Sequence, residues 1–503
     1  MFTLGCTCTG SSQAPAIEWA TRYGGSWFDI PSDITVAPDG STLVVGRTQS
    51  MDGDAVDNHG GYDAWAIKLD ASGNLVWKKC FGGTGTDVFD AVEPAADGGY
   101  VMAGGSDSND GDLSWNSGAG NLWVVKMSAE GNIIWQKLFG GSRSERALDI
   151  KCTNDGGYLV GSTTNSDDGD VSGYHPGFDL IWLSDGWVLK LDASGELEWQ
   201  RAIGGSGADR IWGVQPCGAG GFLVAGDALS TDGDATGNHG GMDAWVVKLT
   251  DSGTVDWHLM LGGPGSDQAF DIMELSNGDI ALAGNDGGFP EDAWVARLDP
   301  EGQTIWEDTY GGTQHDGAVS MCRTSSDGIL LTGHSESDDG DLDANWGMND
   351  VWVLAIDGGG TLEWQRSLGG SLTDYGACIA ATPDQGLVVG CASSSGDHDL
   401  QGSAGSEDLW VVKFEGNGSG MQDRVAFGVD VSPTPATTSI TVRTTAVMIG
   451  AQARLLDLLG REVRSTPIRH PSFELSVGDL PRGAYTLVIS DHARSGVGRV
   501  ILH

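Results

Sequence analysis

The apolar residues of this chain come in short runs, each closed by a cluster of Gly, Asp, Asn and Ser. LVVG, AWAIKL, YVMAGG and LWVVKM are examples. No long stretch keeps apolar residues at i, i+3, i+4 and i+7, so the pattern predicts strands and turns throughout and an all-β fold. The runs also repeat. A Trp followed by Gly-Gly occurs at Trp19, Trp77, Trp135, Trp199, Trp257, Trp306 and Trp364, with spacings of 58, 58, 64, 58, 49 and 58 residues. A second Trp recurs in phase, at Trp65, Trp123, Trp187, Trp245, Trp294, Trp352 and Trp410. The two series use 14 of the 19 Trp, and a period of this length marks a repeat architecture.

Each unit reads as four strands, A to D. Strand A follows the Gly-Gly and opens on an acid, as in DVFDAVEPA. Strand B is an apolar run ending at Gly46, Gly104, Gly161, Gly226, Gly284, Gly333 or Gly390. Strand C carries the DxWVVKLD-like segment, and strand D carries the first Trp. Near-continuous apolar character in B and C predicts cover on both sheet faces, which neighbouring propeller blades supply. The Trp rings are expected to fill the outer wedge between blades, and the strand-B Gly to permit close backbone approach. The chain opens on a lone D strand at Trp19 and closes on a C strand at Trp410. One missing strand at each end predicts a seven-bladed β-propeller whose last blade, 373–414, is completed by residues 16–24. A sandwich or solenoid leaves this complementary truncation unexplained.

Composition narrows the partners. Net charge is −43, and residues 425–503 hold 8 Arg, no Lys and 6 acids, so residues 1–424 carry −45. A surface this acidic repels phosphate backbones and excludes nucleic acid as a partner. No stretch is long enough to span a membrane. Residues 1–15 are read as the remnant of a leader. Thr3-Leu4-Gly5-Cys6 lacks the charged and apolar segments of a lipoprotein signal. Of the eight Cys, Cys80, Cys152, Cys217, Cys322, Cys378 and Cys391 fall in predicted strands as small apolar residues rather than in a disulfide framework.

Two acidic series sit on one predicted face, where D–A and B–C loops emerge. The first is Asp29, Asp87, Glu145, Asp209, Asp267, Asp316 and Asp374. These acids either ring the channel mouth or accept turn N–H groups. The second lies in the B–C loops as Asp52/Asp54, Asp110/Asp112, Asp168/Asp170, Asp232/Asp234 and Asp339/Asp341, with Asp63 and Asp243 just before strand C. Asp-x-Asp followed by a further Asp is hard-oxygen chemistry suited to Ca²⁺, although the spacing is not that of an EF-hand. The alternative is an Asp-rich turn capping backbone amides. His59, His175 and His239 recur in separate loops, too far apart for a shared transition-metal site. Unit 5 breaks the pattern with the shortened Asn285-Asp286-Gly287-Gly288 loop, and unit 3 carries an insertion at 172–186.

After Phe414 the pattern changes. A Gly-rich linker spans 415–424, and residues 425–503 hold a second set of strands, expected to form a small β-sandwich. The segment carries Pro433 and Pro435, then Asp457, Gly460 and Arg461 after an apolar strand, then Asp479, Leu480, Gly483 and Tyr485, and a short final strand. In this order the motifs resemble the type A sorting domain of the type IX secretion system of Bacteroidota. Thr434 and Ser432 depart from the family, which favours Asn and an aromatic there. The repeat unit is similar to tandem repeats of secreted Bacteroidota proteins. The resemblance implies export by the type IX machinery to the medium or the cell surface.

For function, the sequence favours a secreted binding or adhesion module with a glycan or protein ligand, aided by Trp115, Trp182 and Trp346 in B–C loops. A polysaccharide-active hydrolase or lyase and a structural surface protein are the alternatives. An enzyme is disfavoured because no asymmetric nucleophile–base set stands out.

Overall fold

The computed structural model describes residues 14–113, 119–176, 183–342, 344–399 and 406–416. Beyond these it describes 425–426, 429–432, 436, 438–444, 452–456, 462–468, 470, 472–478, 480–490 and 494–502. The chain divides into two compact units, Met1–Gly416 and Asn417–His503.

The first unit is seven antiparallel four-stranded sheets, each in the order A-B-C-D. Blade 1 runs Asp29–Val36, Thr42–Thr48, Asp63–Leu69 and Leu75–Phe81, and blades 2 to 6 repeat it. The A strands of neighbouring blades pack on one another around the ring axis. The seventh blade takes its D strand from the other end of the chain. Ile17–Tyr23 pairs antiparallel with Asp408–Phe414, running from Ile17 opposite Phe414 to Tyr23 opposite Leu409. The ring closes as the truncated end units predict, and no helix occurs among the described residues.

Two repeated features explain why the units must look alike. In every blade, strand A slips register by one residue, between Pro31 and Asp33 in blade 1 and between Ile211 and Gly213 in blade 4. Such a bulge pushes a carbonyl toward strand B. A Cβ on Gly46 would lie 2.1 Å from the Ile30 carbonyl oxygen, and one on Gly226 would lie 1.8 Å from that of Arg210. At Gly46, Gly104, Gly226, Gly284 and Gly333 the close approach is therefore to the blade's own bulge, whereas Gly161 faces Val214 of the next blade. Elsewhere the Trp expectation divides. The strand-C Trp are buried, with Trp123, Trp187 and Trp352 fully so. The strand-D Trp are mostly half-buried and lie over the C–D turn of the next blade. There Gly73 (φ 78°) faces Trp19, and a Cβ would come within 2.6 Å of the indole. Trp77 also donates from Nε1 to the Ala129 carbonyl of that next turn, at 3.1 Å.

Cys80, Cys152, Cys322, Cys378 and Cys391 lie within strands, Cys217 lies one residue past one, and all six are free thiols. In the second unit one sheet orders Val425–Ala426, Arg494–Leu502, Gly483–Ser490, Gln452–Leu456 and Glu462–Pro467. The other orders Val429–Ser432, Ser439–Thr444 and Ser472–Ser476. Ile440, Val442, Leu455, Leu475 and Leu487 form a core shared by both sheets, as in a small sandwich.

Candidate functional site

The strand-A acids are sealed into the loops. Asp29 is fully buried and accepts from Gly25 N–H at 2.7 Å, from Ser50 Oγ at 2.8 Å and from Thr48. Asp87 accepts from Gly83 N–H at 2.8 Å, Ser108 Oγ at 2.6 Å and Ser106. Glu145, Asp209, Asp316 and Asp374 repeat the arrangement on Gly141, Gly205, Gly312 and Gly370. Turn capping is what these carboxylates do, and the channel mouth is lined by other residues.

The Asp-x-Asp loops fold back on the D–A loop of their own unit. Asp52 accepts from Ser26 N–H at 2.8 Å, and Asp110, Asp168, Asp232 and Asp339 do the same on Thr84, Ser142, Ser206 and Thr313. The second aspartate turns elsewhere. Asp112, Asp170 and Asp341 accept from Gly82, Gly140 and Gly311, whereas Asp54 also pairs with Lys78 and Asp234 with Arg201. Asp63 and Asp243 do not join their own pair. Each is fully buried and accepts from the backbone and ring nitrogens of His59 and His239 respectively. Burial pushes the Asp63 carboxyl up against those bonds, and Asp87 of the next blade adds to the rise. Among the described residues no three or more His, Cys, Asp or Glu side chains converge as a metal ligand set.

Sevenfold symmetry ends on the channel side of strand A. Near one mouth the bulge residue Asp90 holds the Arg146 guanidinium through two hydrogen bonds. At the equivalent level Trp212 meets Phe270 edge-on, ring centroids 5.4 Å apart. Deeper in, Lys151 reaches Asp149 at 3.0 Å and Glu93 at 3.2 Å. Burial alone would lower the Lys151 ammonium, but Asp149, Glu93, Asp33 and Asp271 outweigh it and hold it well above its usual range. The aspartates bridge blades: Asp33 accepts Val92 N–H at 2.7 Å, Asp149 accepts Val214 at 2.8 Å and Asp271 accepts Met321 at 2.8 Å. Burial pushes Asp33 up to about 7 and Asp271 up to about 6, despite Lys151 and those N–H donors.

These shifts set a pH dependence. A carboxyl whose folded pKa exceeds its unfolded value of about 4 adds stability at low pH and loses it as pH rises through the folded value. The propeller is expected to melt higher near pH 5.5 than near pH 8, by about 1 kcal/mol or more for these two groups together. Asp33→Asn should flatten the profile, as calorimetry across the range would record. A profile unchanged by that substitution would remove Asp33 from the account.

The shortened loop of unit 5 opens a recess on the loop face. It has a volume of about 430 Å³ and is bounded by Gly241, Pro264–Ser266, Gln268, Asp286–Gly288 and Glu291. Gln268 is anchored from behind, donating to Asp227 Oδ2 at 3.0 Å, and Trp212 Nε1 donates to the same oxygen at 2.7 Å. Glu291 accepts from Asn285 at 2.8 Å. Phe289 stands at the lip, 93% exposed, with its ring edge-on to His315 at 5.4 Å. Trp346, 49% exposed, stands in the next blade and stacks on His398 of the blade after it. Trp115 and Trp182, and Pro433, Pro435, Asp457, Gly460, Arg461 and Asp479 of the sorting motif, lie outside the described residues. Gly483 opens its strand, and Tyr485 is buried with its hydroxyl donating to the Pro481 carbonyl at 2.7 Å.

Fold and loop geometry define a seven-bladed β-propeller joined to a separate small β domain. Residues 430–503 match the secretion system C-terminal sorting domain family. The chain is therefore a propeller sorted by type IX secretion to the medium or cell surface, and no helix among the described residues is long and apolar enough to cross a membrane. Comparison with curated proteins gives no match. Among solved structures it is similar to a protein of unknown function from Bacteroides caccae (13% identity, 62% of this chain and 92% of the other, TM-score 0.38). It is similar to Sqt1 from Chaetomium thermophilum (14%, 81% and 99%, TM-score 0.41). A third likeness is to a protein of unknown function from Dyadobacter fermentans (11%, 80% and 98%, TM-score 0.40).

Proposed function

We propose that the propeller is a non-catalytic binding module whose ligand sits on the D–A and B–C loop face. The supporting observation is that its exposed aromatic side chains lie there, with further exposed apolar groups beside them. Trp27, Phe289, Trp346, Met348 and Leu372 are all on that face, at 48% exposure or more, among loops otherwise rich in Asp and Gly. Exposed aromatic groups among polar residues mark binding surfaces, and an aromatic ring offers a flat apolar face to a sugar or a side chain. The loops themselves are fastened by their carboxylate caps, so these side chains stand on a fixed base.

The test is retention of extracellular glycans and surface proteins on the immobilised full chain. Phe289→Ala with Trp346→Ala is expected to reduce retention about tenfold, a loss of about 1.4 kcal/mol. Ile134→Ala, on an outer strand and 56% exposed, should not change it. Equal losses in both variants would show that the loop face has no special part. Turnover of a retained polysaccharide would replace the binding reading with the hydrolytic one.

A further inference from the structure

The recess at blade 5 is acidic. Asp286 and Glu291 line it, and no Lys or Arg does. Asp267 and Asp292 flank it in the same loops, and among the described residues none of these four carboxylates is in an ion pair. His315 Nδ1 accepts the Glu291 N–H at 3.3 Å. Behind Gln268, the fully buried Asp227 keeps one carboxylate oxygen, Oδ1, without a partner. Asp292 Oδ1 is likewise buried and unpartnered, as is Oδ1 of Asp63, Asp185, Asp243 and Asp350 at the same position of other blades. Burial, with Asp286, Asp316 and Asp341 nearby, pushes the Asp292 carboxyl up to about 6, and His315 offsets part of that rise. At the lip, Phe289 exposes the face of its ring, and aromatic faces attract cations.

Resting on the binding reading above, we propose that this recess takes a protonated amine or guanidinium, presented as a Lys or Arg side chain of an extracellular polypeptide. Three properties converge on that chemistry. The recess supplies carboxylate acceptors without competing cations. The adjacent aromatic ring suits the alkyl stem and the charged head of such a side chain. The whole chain, at −43, draws basic segments toward it before contact. Its volume of about 430 Å³ holds one long side chain with its backbone at the rim. Among the described residues the longer B–C loops of the other six units fold back on their D–A loops, where unit 5 leaves the recess.

The experiment uses the full chain and a fluorescent peptide of alternating Lys, Arg and Gly, read by anisotropy at low and moderate salt. The basic peptide is expected to bind, and its counterpart with Gln at every Lys and Arg is not. Asp286→Asn with Glu291→Gln should weaken binding about tenfold, and Phe289→Ala several-fold. Glu301→Gln with Glu307→Gln removes the same charge from exposed outer positions of the same blade and should leave affinity unchanged. Equal weakening by both double variants would overturn the proposal in favour of diffuse attraction, provided melting curves show each variant folded. Spermidine separates the sources of the cation: competition only far above the peptide's own concentration supports a polypeptide occupant, and tight capture of spermidine itself overturns that part. Binding of a chitosan oligosaccharide without the peptide would overturn the polypeptide proposal and leave the binding module standing. Failure of every glycan and protein to bind the loop face would remove the module reading as well.

Discussion

Removing residues 1–23 is expected to lower the melting temperature by about 10 °C or more and to make the protein aggregate on heating. Ile17–Tyr23 is the outer strand of the seventh blade, and its partner Asp408–Phe414 is buried along its whole length. Without it, that strand becomes an open edge with unpaired N–H and C=O groups. Tyr23 leaves the cluster of Val44, Trp65 and Val411, and Ala14 and Ile17 leave that of Trp364, Trp410 and Phe414. Lys413, only 5% exposed, loses Glu18 at 2.9 Å and keeps Asp384. Trp19 no longer covers the turn at Gly73, which loosens blade 1 as well as blade 7. Calorimetry measures the loss, and a synthetic peptide of residues 14–25 added in trans should restore part of it. A truncated chain that melts like the intact one would show that the ring does not depend on this strand.

Asp87→Ala is the second large effect, expected to cost about 3 to 5 kcal/mol. The substitution strands Gly83 N–H and the Ser108 hydroxyl in a site with no solvent access. Each unsatisfied buried donor costs about 1 to 3 kcal/mol. One contribution opposes this loss. Asp63 is buried beside Asp87 and relaxes when that charge is gone. Asp87→Asn separates the two, since it removes the charge and keeps one acceptor oxygen. It should therefore recover a good part of the loss seen with Ala. If Asn is as damaging as Ala, charge rather than capping holds the D–A loop. Chemical denaturation of the two variants against the parent decides it.

Much of the architecture was legible because the repeat exposes it. Trp19 without a preceding unit and Trp410 without a following Gly-Gly were sufficient to predict the closing strand. The strand-A acids were harder. A period shows that Asp29 and Asp87 are equivalent, yet cannot show which way a carboxylate turns, so a ring of charge stayed open beside the favoured capping. The grouping of Asp63 with Asp52 and Asp54 followed sequence order, whereas the next blade approaches Asp63 from a unit away. The bulge in every strand A left no trace, because one slipped residue changes no composition. Asp227 was hidden for a different reason. Its equivalents in other units include Arg47, Thr163 and His334, and a position that varies this freely carries no motif. The recess was visible only as the 49-residue spacing, which marks a missing segment and not the space it leaves.

The indoles of six D strands, from Trp19 on Gly73 to Trp306 on Gly360, rest on the glycine turn of the following blade, and Trp364, beside the spliced blade, does not. Except at the splice, each module thus brings one half of the joint to its successor and the complementary half to its predecessor. A module copied or lost by unequal crossing-over would still fit whatever neighbours it acquired. The number of blades is then governed by whether the two chain ends can meet, and not by recognition between particular units. Individuality is free to accumulate in the inner strands and the loops, which take no part in that joint.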